Sequence, residues 1–107
     1  MALTQGIDAS MIFAEMEYRK EYRDFHAELL AFVGEHFSQV KSGLQGDSWI
    51  WIFDDEEKVQ IDTFSSMKHQ IKSPKAGRHV QKVIDTLHLK YKLNVYEEPE
   101  LEGHEDV

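Results

Sequence analysis

Imidazole is a common metal ligand and a base that titrates near neutral pH, so the six histidines of this chain are the first candidates for chemistry. They are His26, His36, His69, His79, His88 and His104. A zinc site on one helix needs two histidines three or four residues apart, and no pair in this chain has that spacing. We therefore predict no metal site, with a site assembled from distant segments as the one arrangement left open.

Hydroxyl and carboxyl groups offer the next candidates, for acid–base or nucleophilic work. Ser65 and Ser66 lie near Asp62 and His69 in the sequence, which supplies the residue types of a hydrolase triad. This spacing in neighbouring strands gives no reason for them to converge, and no Gly-x-Ser-x-Gly motif is present. The four acids at positions 54–57 look like a solvated hairpin turn without apolar enclosure. We expect no catalytic residue and interpret the protein as a non-enzyme.

Cofactor chemistry finds no support in the sequence. Gly43 and Gly46 do not form a phosphate-binding loop, because Asp47 follows the second glycine where a lysine is needed. The absence of cysteine excludes disulfides and thiolate nucleophiles, and it removes the usual ligands of structural zinc. We expect no cofactor.

Positive charge is concentrated between residues 66 and 92, where seven basic residues face one acid, for a net charge of +6. The rest of the chain holds five basic and 19 acidic groups, a net charge of −14. The basic segment predicts an alternative site for an anion or nucleic acid, at Lys68, Lys72, Lys75, Arg78 and Lys82. Nucleic acid is disfavoured, because aromatic residues do not interleave with these lysines and the whole chain carries a charge of −8. Simple solvation of these lysines is the competing interpretation.

The run Trp49-Ile50-Trp51-Ile52-Phe53 is the most informative stretch, because five large apolar residues in succession cannot all face one core. In a strand, alternate side chains lie on opposite faces, which separates Trp49, Trp51 and Phe53 from Ile50 and Ile52. Both faces must be covered. The chain's own helices can cover one, and the other needs more of this protein, a second copy or a partner.

Two arrangements of the tryptophans fit the sequence. They lie either in the core, under the first helix and against Tyr18, Tyr22 and Phe25, or at an interface, where indoles make favourable anchors. In both cases apolar area remains on one side of the strand. The predicted protein-interaction residues are Trp49, Trp51, Phe53, Ile50, Ile52 and Phe64.

Periodicity supplies the elements that position these residues. After a flexible lead at 1–8, apolar residues spaced by three and four predict a long helix over 9–40, followed by a loop over 41–47. Three strand candidates predict an antiparallel meander over 48–72. Ser73-Pro74 favours the start of a second helix over 74–91. A fourth strand over 93–96 and an acidic tail over 97–107 complete the chain.

These elements predict a single α+β domain in the order α-β-β-β-α-β, with a four-stranded, mainly antiparallel sheet and both helices on one face. A right-handed crossover through the second helix would make the fourth strand parallel to the third and place it at an edge. The uncovered sheet face and the apolar helix stripe favour a homodimer. No apolar run long enough for a membrane span and no secretory signal are present, so the expected location is the cytoplasm.

The element order, small size and acidity are similar to those of the chaperones that escort type III secretion effectors, although no sequence motif carries the comparison. That resemblance implies a protein partner. We interpret the chain as a protein-binding, adaptor or chaperone-like module that acts through an apolar sheet face or edge, without contact with a membrane.

Overall fold

A computed structural model of the chain describes residues 10–102 and contains a six-stranded sheet and two helices. The elements are β1 (Met11–Glu17), α1 (Tyr22–His36), β2 (Val40–Gln45), β3 (Asp47–Asp54), β4 (Glu57–Asp62), β5 (Gln70–Ser73), α2 (Arg78–Leu87) and β6 (Lys92–Leu101). The predicted α+β class is confirmed. The predicted four-stranded sheet is wrong, because two further strands form in segments assigned to the first helix and the following loop.

The strands lie in the order β2-β3-β4-β5-β1-β6, and each pairs antiparallel with its neighbours. β1 lies between β5 and β6, so the crossover through α2 passes over it. β6 therefore runs parallel to β5 and forms an edge, as the right-handed crossover predicts for the last strand. The element order is β-α-β-β-β-β-α-β, which removes the basis of the comparison with secretion chaperones.

The helix predicted over 9–40 is the largest correction. Its first part is β1, in which the buried residues Ile12, Ala14 and Met16 alternate with half-buried ones, as in a strand. A bulge between Ile12 and Ala14 places these two side chains on opposite faces of the sheet. Only Tyr22–His36 is helical, and it buries the predicted stripe of Phe25, Leu29 and Phe32.

Other predicted boundaries also move. The loop over 41–47 is mostly β2, and Gly46 makes the turn into β3 with a φ of +85°. The meander over 48–72 contains β3, β4 and β5, with residues 63–69 forming a loop between the last two. The helix over 74–91 is shortened to Arg78–Leu87, because Ser73 belongs to β5 and donates a hydrogen bond to the Lys58 carbonyl.

The C-terminal part of the chain differs in the same way. The strand predicted over 93–96 extends to Leu101, and Glu100 and Leu101 of the predicted acidic tail pair with Ile12 and Met11 of β1. The lead at 1–8 and the end of the tail at 103–107 lie outside the described residues. Within residues 10–102, neither helix has the length and apolar character needed to cross a membrane.

One hydrophobic core joins both helices to one face of the sheet, as predicted. α1 contributes Phe25, Leu29, Phe32 and Val33, and α2 contributes Val80, Val83, Ile84 and Leu87. Ile50, Ile52, Val59, Ile61 and Ile71 meet them from β3, β4 and β5 with no exposed surface. Complete burial of each such side chain stabilises the fold by roughly 1.5–3 kcal/mol. The opposite side of the sheet, here called the open face, has no helix over it among residues 10–102.

Two glycines provide a matched test of this fold. Gly34 lies inside α1, and a Cβ atom there would meet nothing within 4 Å, so Gly34→Ala removes only the entropic penalty of glycine. We expect Gly34→Ala to raise the free energy of unfolding by up to about 1 kcal/mol. Gly46→Ala should lower it by about 1 kcal/mol or more, because φ at this turn is positive. Urea unfolding followed by circular dichroism measures both, and destabilisation by Gly34→Ala would contradict a helix that runs through this residue.

Candidate interaction site on the open sheet face

The strand register defines the open face, because residues directly opposite one another on paired strands point to the same side. One row of side chains crosses all six strands: Lys41, Trp51, Gln60, Lys72, Ile12 and Glu100. The neighbouring row is Gly43, Trp49, Asp62, Gln70, Glu15 and Asn94. The face is therefore aromatic and basic at the β2–β3 end and strongly polar towards β1.

The aromatic patch comprises Trp49, Trp51 and Phe53 of β3, all half-buried on the open face. Ile50 and Ile52 point the other way into the core, so the predicted split of this strand between two faces is confirmed. The alternative that places the tryptophans under the first helix is wrong, because the isoleucines occupy that side. The two indole rings are tilted against each other with centroids 4.6 Å apart.

Two lysines flank the aromatic patch. The Lys58 ammonium lies 4.2 Å from the centre of the Trp51 ring, and that of Lys41 lies 5.8 Å from the centre of the Phe53 ring. Both distances are within the range of cation–π attraction. Neither lysine forms an ion pair with any carboxylate in residues 10–102. The indole nitrogen of Trp51 is buried without a hydrogen-bond acceptor in the same part of the chain. The patch thus combines apolar area, two cations and an unused donor.

Gly43 positions Trp49. The two residues are paired across β2 and β3, and a Cβ atom on Gly43 would lie 2.5 Å from the indole ring. A contact that short is sterically forbidden, so only glycine lets the indole lie flat over β2. The sequence predicts a loop at Gly43, and its place under Trp49 depends on strand pairing that the sequence does not reveal.

A buried ionic network occupies the centre of the open face. Lys72 has no exposed surface and donates hydrogen bonds to Asp62, at 2.6 Å, to Ser65, at 3.1 Å, and to Glu102. Phe64, from the loop over 63–69, is 49% exposed and lies with its ring centre 5.8 Å from the lysine ammonium. The interpretation of Lys72 as a solvated lysine is wrong, because this loop and Glu102 at the end of β6 supply partners that enclose it.

Burial and charge oppose one another in this network. Burial raises the pKa of Asp62, although the hydrogen bond from Lys72 acts in the other direction. Burial also acts to raise the pKa of Glu102, but hydrogen bonds from Lys72 and Ser65 outweigh it and lower that pKa. An ion pair of this kind is costly to break by removing one partner, because a charge is then left buried. Lys72 therefore serves the structure and is not available to an external anion.

A second polar network, a row of four hydrogen-bonded side chains, lies on the helix side of the sheet. The Tyr18 hydroxyl lies 2.7 Å from Nδ1 of His69, Nε2 of His69 lies 2.7 Å from Oγ of Ser48, and that Oγ lies 2.6 Å from Nδ1 of His26. Each of the three contacts has one donor and one acceptor when Tyr18 donates to His69, His69 donates from Nε2 to Ser48, and Ser48 donates to His26. These contacts connect the end of β1, the start of β5, β3 and α1.

This chain of hydrogen bonds requires neutral imidazoles. Burial lowers the pKa of His69 to about 4, with the nearby His26 adding to the effect, and burial also lowers the pKa of His26. Burial raises the pKa of Tyr18 to about 12, which keeps its hydroxyl protonated as a donor. Ser48 has no exposed surface, so this serine is shielded from any substrate in the described conformation.

The residues of the triad hypothesis do not come together. The His69 ring faces Tyr18 and Ser48 on the helix side, whereas Asp62 and Ser65 bond to Lys72 on the open face. Within residues 10–102, no three histidine or acidic side chains are grouped in a way that could hold a metal ion.

The five residues of the predicted anion site are also divided. Lys72 is buried, and Lys68 donates to the Tyr18 carbonyl at 2.6 Å. Lys75, Arg78 and Lys82 line one open groove of about 810 Å³ beside the start of α2. Acidic residues line the same groove, with Glu57 3.1 Å from Lys75 and Asp54 3.5 Å from Lys82. The groove is therefore mixed in charge.

The contact between Gly43 and Trp49 gives a direct test of the patch. We expect Gly43→Ala to force the indole off β2, to lower the free energy of unfolding by about 1–3 kcal/mol and to shift tryptophan emission. Gly34→Ala is the matched control, because it adds the same methyl group in open space and should leave the emission spectrum unchanged. Unaltered emission and stability in Gly43→Ala would contradict the described packing.

The burial of His69 in this hydrogen-bonded network predicts a pH dependence of the free energy of unfolding. Because the pKa of His69 falls from 6.5 to about 4 on folding, protonation favours the unfolded state. The stabilisation is fully present above pH 6.5 and is lost as pH falls towards about 4, a change on the order of 3 kcal/mol. In His69→Gln, which has no titratable ring, urea unfolding between these pH values should show a shallower slope. His88→Gln, at an exposed position, should retain the wild-type slope. Equal slopes in wild type and His69→Gln would contradict this assignment.

Comparison with protein-family models, with curated proteins and with solved structures found no match. The function of this chain is therefore inferred from the chemistry of its own surface.

Proposed function

We propose that this protein is a binding module that uses the aromatic patch to hold an extended segment of a protein partner carrying apolar and acidic side chains. The observation that supports the proposal most is the position of Trp49 and Trp51, half-exposed on the sheet face that carries no helix in residues 10–102. Large rigid aromatic side chains in such a position are typical of the anchors that dominate binding energy at protein interfaces.

The core does not need these aromatic residues. Ile50 and Ile52 already fill the helix side of β3 with no exposed surface, and the neighbouring strands contribute the rest of the core. An exposed serine or threonine at positions 49 and 51 would suit a solvated strand equally well. The cost of keeping two indoles at the surface is therefore better explained by a contact outside the chain than by folding.

Charge favours an acidic partner. Lys41 and Lys58 lie beside the patch without a carboxylate partner among residues 10–102, although the chain as a whole carries a net charge of −8. Charges more than about 8 Å away are largely screened at physiological ionic strength, so the two lysines matter more at the patch than the net charge of the whole chain. A partner carboxylate that pairs with Lys58 would draw the ammonium from the Trp51 ring and open that ring to an apolar side chain.

The alternative of anion binding has weaker support. Lys75, Arg78 and Lys82 share a groove, but Glu57 and Asp54 already pair with two of them. An incoming anion would have to displace these carboxylates. A non-enzymatic role in the cytoplasm remains part of the proposal for the aromatic patch.

A random-peptide display library selected on the full chain tests this proposal. We expect enriched peptides to alternate apolar with acidic residues, and binding of a synthetic enriched peptide to change tryptophan emission, since both tryptophans of the chain lie in the patch. Trp51→Ala and the charge reversal Lys58→Glu should each weaken binding of that peptide by at least about tenfold.

Matched controls separate the patch from the rest of the surface. Leu89→Ala removes an exposed apolar side chain, and Lys92→Glu reverses an exposed charge, both away from β3. Both variants should bind the peptide like the wild type, and circular dichroism should show that all four are folded. Enrichment of basic peptides, or equal affinity for Lys58→Glu and Lys92→Glu, would overturn the proposal.

A further inference from the structure

The two edges of the sheet differ in how they are protected. β6 carries four charged residues and Pro99, features that discourage pairing with another strand. β2 has the sequence Val-Lys-Ser-Gly-Leu-Gln, with one charge and no proline, and it pairs with β3 in an unbroken register of six residue pairs. An edge of this kind is a template for a further strand.

The pairing of β2 with β3 fixes which backbone groups point outwards. The Phe53 amide donates to the Gln39 carbonyl at 3.0 Å, so residues 39, 41, 43 and 45 direct their backbone groups towards β3. Val40, Ser42 and Leu44 consequently direct theirs away from the sheet. These three residues are spaced symmetrically about Ser42.

We infer that β2 pairs antiparallel with β2 of a second copy of this chain, about a two-fold axis at Ser42. This arrangement joins Ser42 to its own equivalent and Val40 to Leu44 of the other copy, which engages every outward-pointing backbone group of the three residues. A two-fold axis perpendicular to the sheet keeps the two open faces on the same side, because each pair then joins residues of the same face.

The side chains are complementary in the same register. On the helix side, Leu44, which is 39% exposed, comes beside the half-buried Val40 of the other copy. On the open face, Lys41 comes opposite Gly43, where no side chain stands and the Trp49 indole lies over the backbone. A lysine ammonium beside an indole ring is a favourable contact. Within each copy, Lys41 lies over Phe53, on the side away from Ser42 and the two-fold axis. The two Lys41 side chains of the dimer therefore point away from each other.

The paired sheets would have twelve strands and one continuous open face with both aromatic patches near its centre. This dimer deepens the proposed function. It rests on that function only for the identity of what the joined open face binds, and not for the pairing of the two copies. Dimer formation itself is measured without any peptide. A dimer that binds no peptide would therefore refute the proposed function alone, and a monomer that binds peptide would refute this inference alone.

Sedimentation equilibrium of the full chain, combined with one proline substitution, tests the pairing. We expect a monomer–dimer equilibrium in the micromolar range. Ser42→Pro removes an outward amide that β3 does not use, and it should weaken dimerisation by at least about tenfold while circular dichroism still shows a folded chain. A wild-type chain that stays monomeric at high micromolar concentration would overturn the inference.

Cysteine cross-linking tests the register independently of how well the proline variant folds. The chain contains no cysteine, so Ser42→Cys introduces its only thiol. Equivalent residues in a hydrogen-bonded antiparallel pair have Cα atoms about 5.5 Å apart, which suits a disulfide. Mild oxidation should convert Ser42→Cys to a covalent dimer much faster than Asn94→Cys, the matched variant on the β6 edge. Equal rates for the two variants would contradict the pairing.

Discussion

The constraint on which the rest of this structure depends is the two-sided apolar character of β3. Ile50 and Ile52 are buried against the helices. Because successive side chains of a strand alternate between faces, Trp49 and Trp51 lie on the opposite side. A two-layer fold can cover only one side of its sheet with helices. The chain therefore carries aromatic surface that its own core cannot absorb, and the proposed binding role follows from that geometry.

The remainder of the open face is covered by the chain itself. The loop over 63–69 and the end of β6 bring Ser65 and Glu102 to Lys72, and the resulting network neutralises a lysine that has no contact with solvent. This covering stops short of β2 and β3. The division of one sheet face into an enclosed polar half and an accessible aromatic half is what localises the candidate site.

Part of this organisation could be predicted from the sequence. The alternation in β3, a second helix within 74–91 and a last strand that lies at an edge parallel to β5 all depend on local signals or on chain handedness, and the sequence predicts them correctly. The α+β class follows from the same signals.

The errors arise where tertiary partners override local pattern. Met11–Glu17 alternates over only seven residues and is followed closely by a true helical stripe, so the helical period predicts a helix that is too long. Lys72 looked solvated, because the residues that enclose it are distant in sequence or lie in a loop. The hydrogen bonds that link Tyr18, His69, Ser48 and His26 join four separate segments, so no local pattern in the sequence predicts them.

Charged quenchers of tryptophan fluorescence test the central claim most directly, because both tryptophans of the chain belong to the aromatic patch. If the indoles lie at the surface beside Lys41 and Lys58, iodide, which is attracted to the lysines, should quench the emission much more strongly than caesium, which is repelled. If neither ion quenches the emission, the indoles are buried in a core. If both ions quench it equally, the lysines are not close to the indoles. Either result would contradict an accessible aromatic and basic surface.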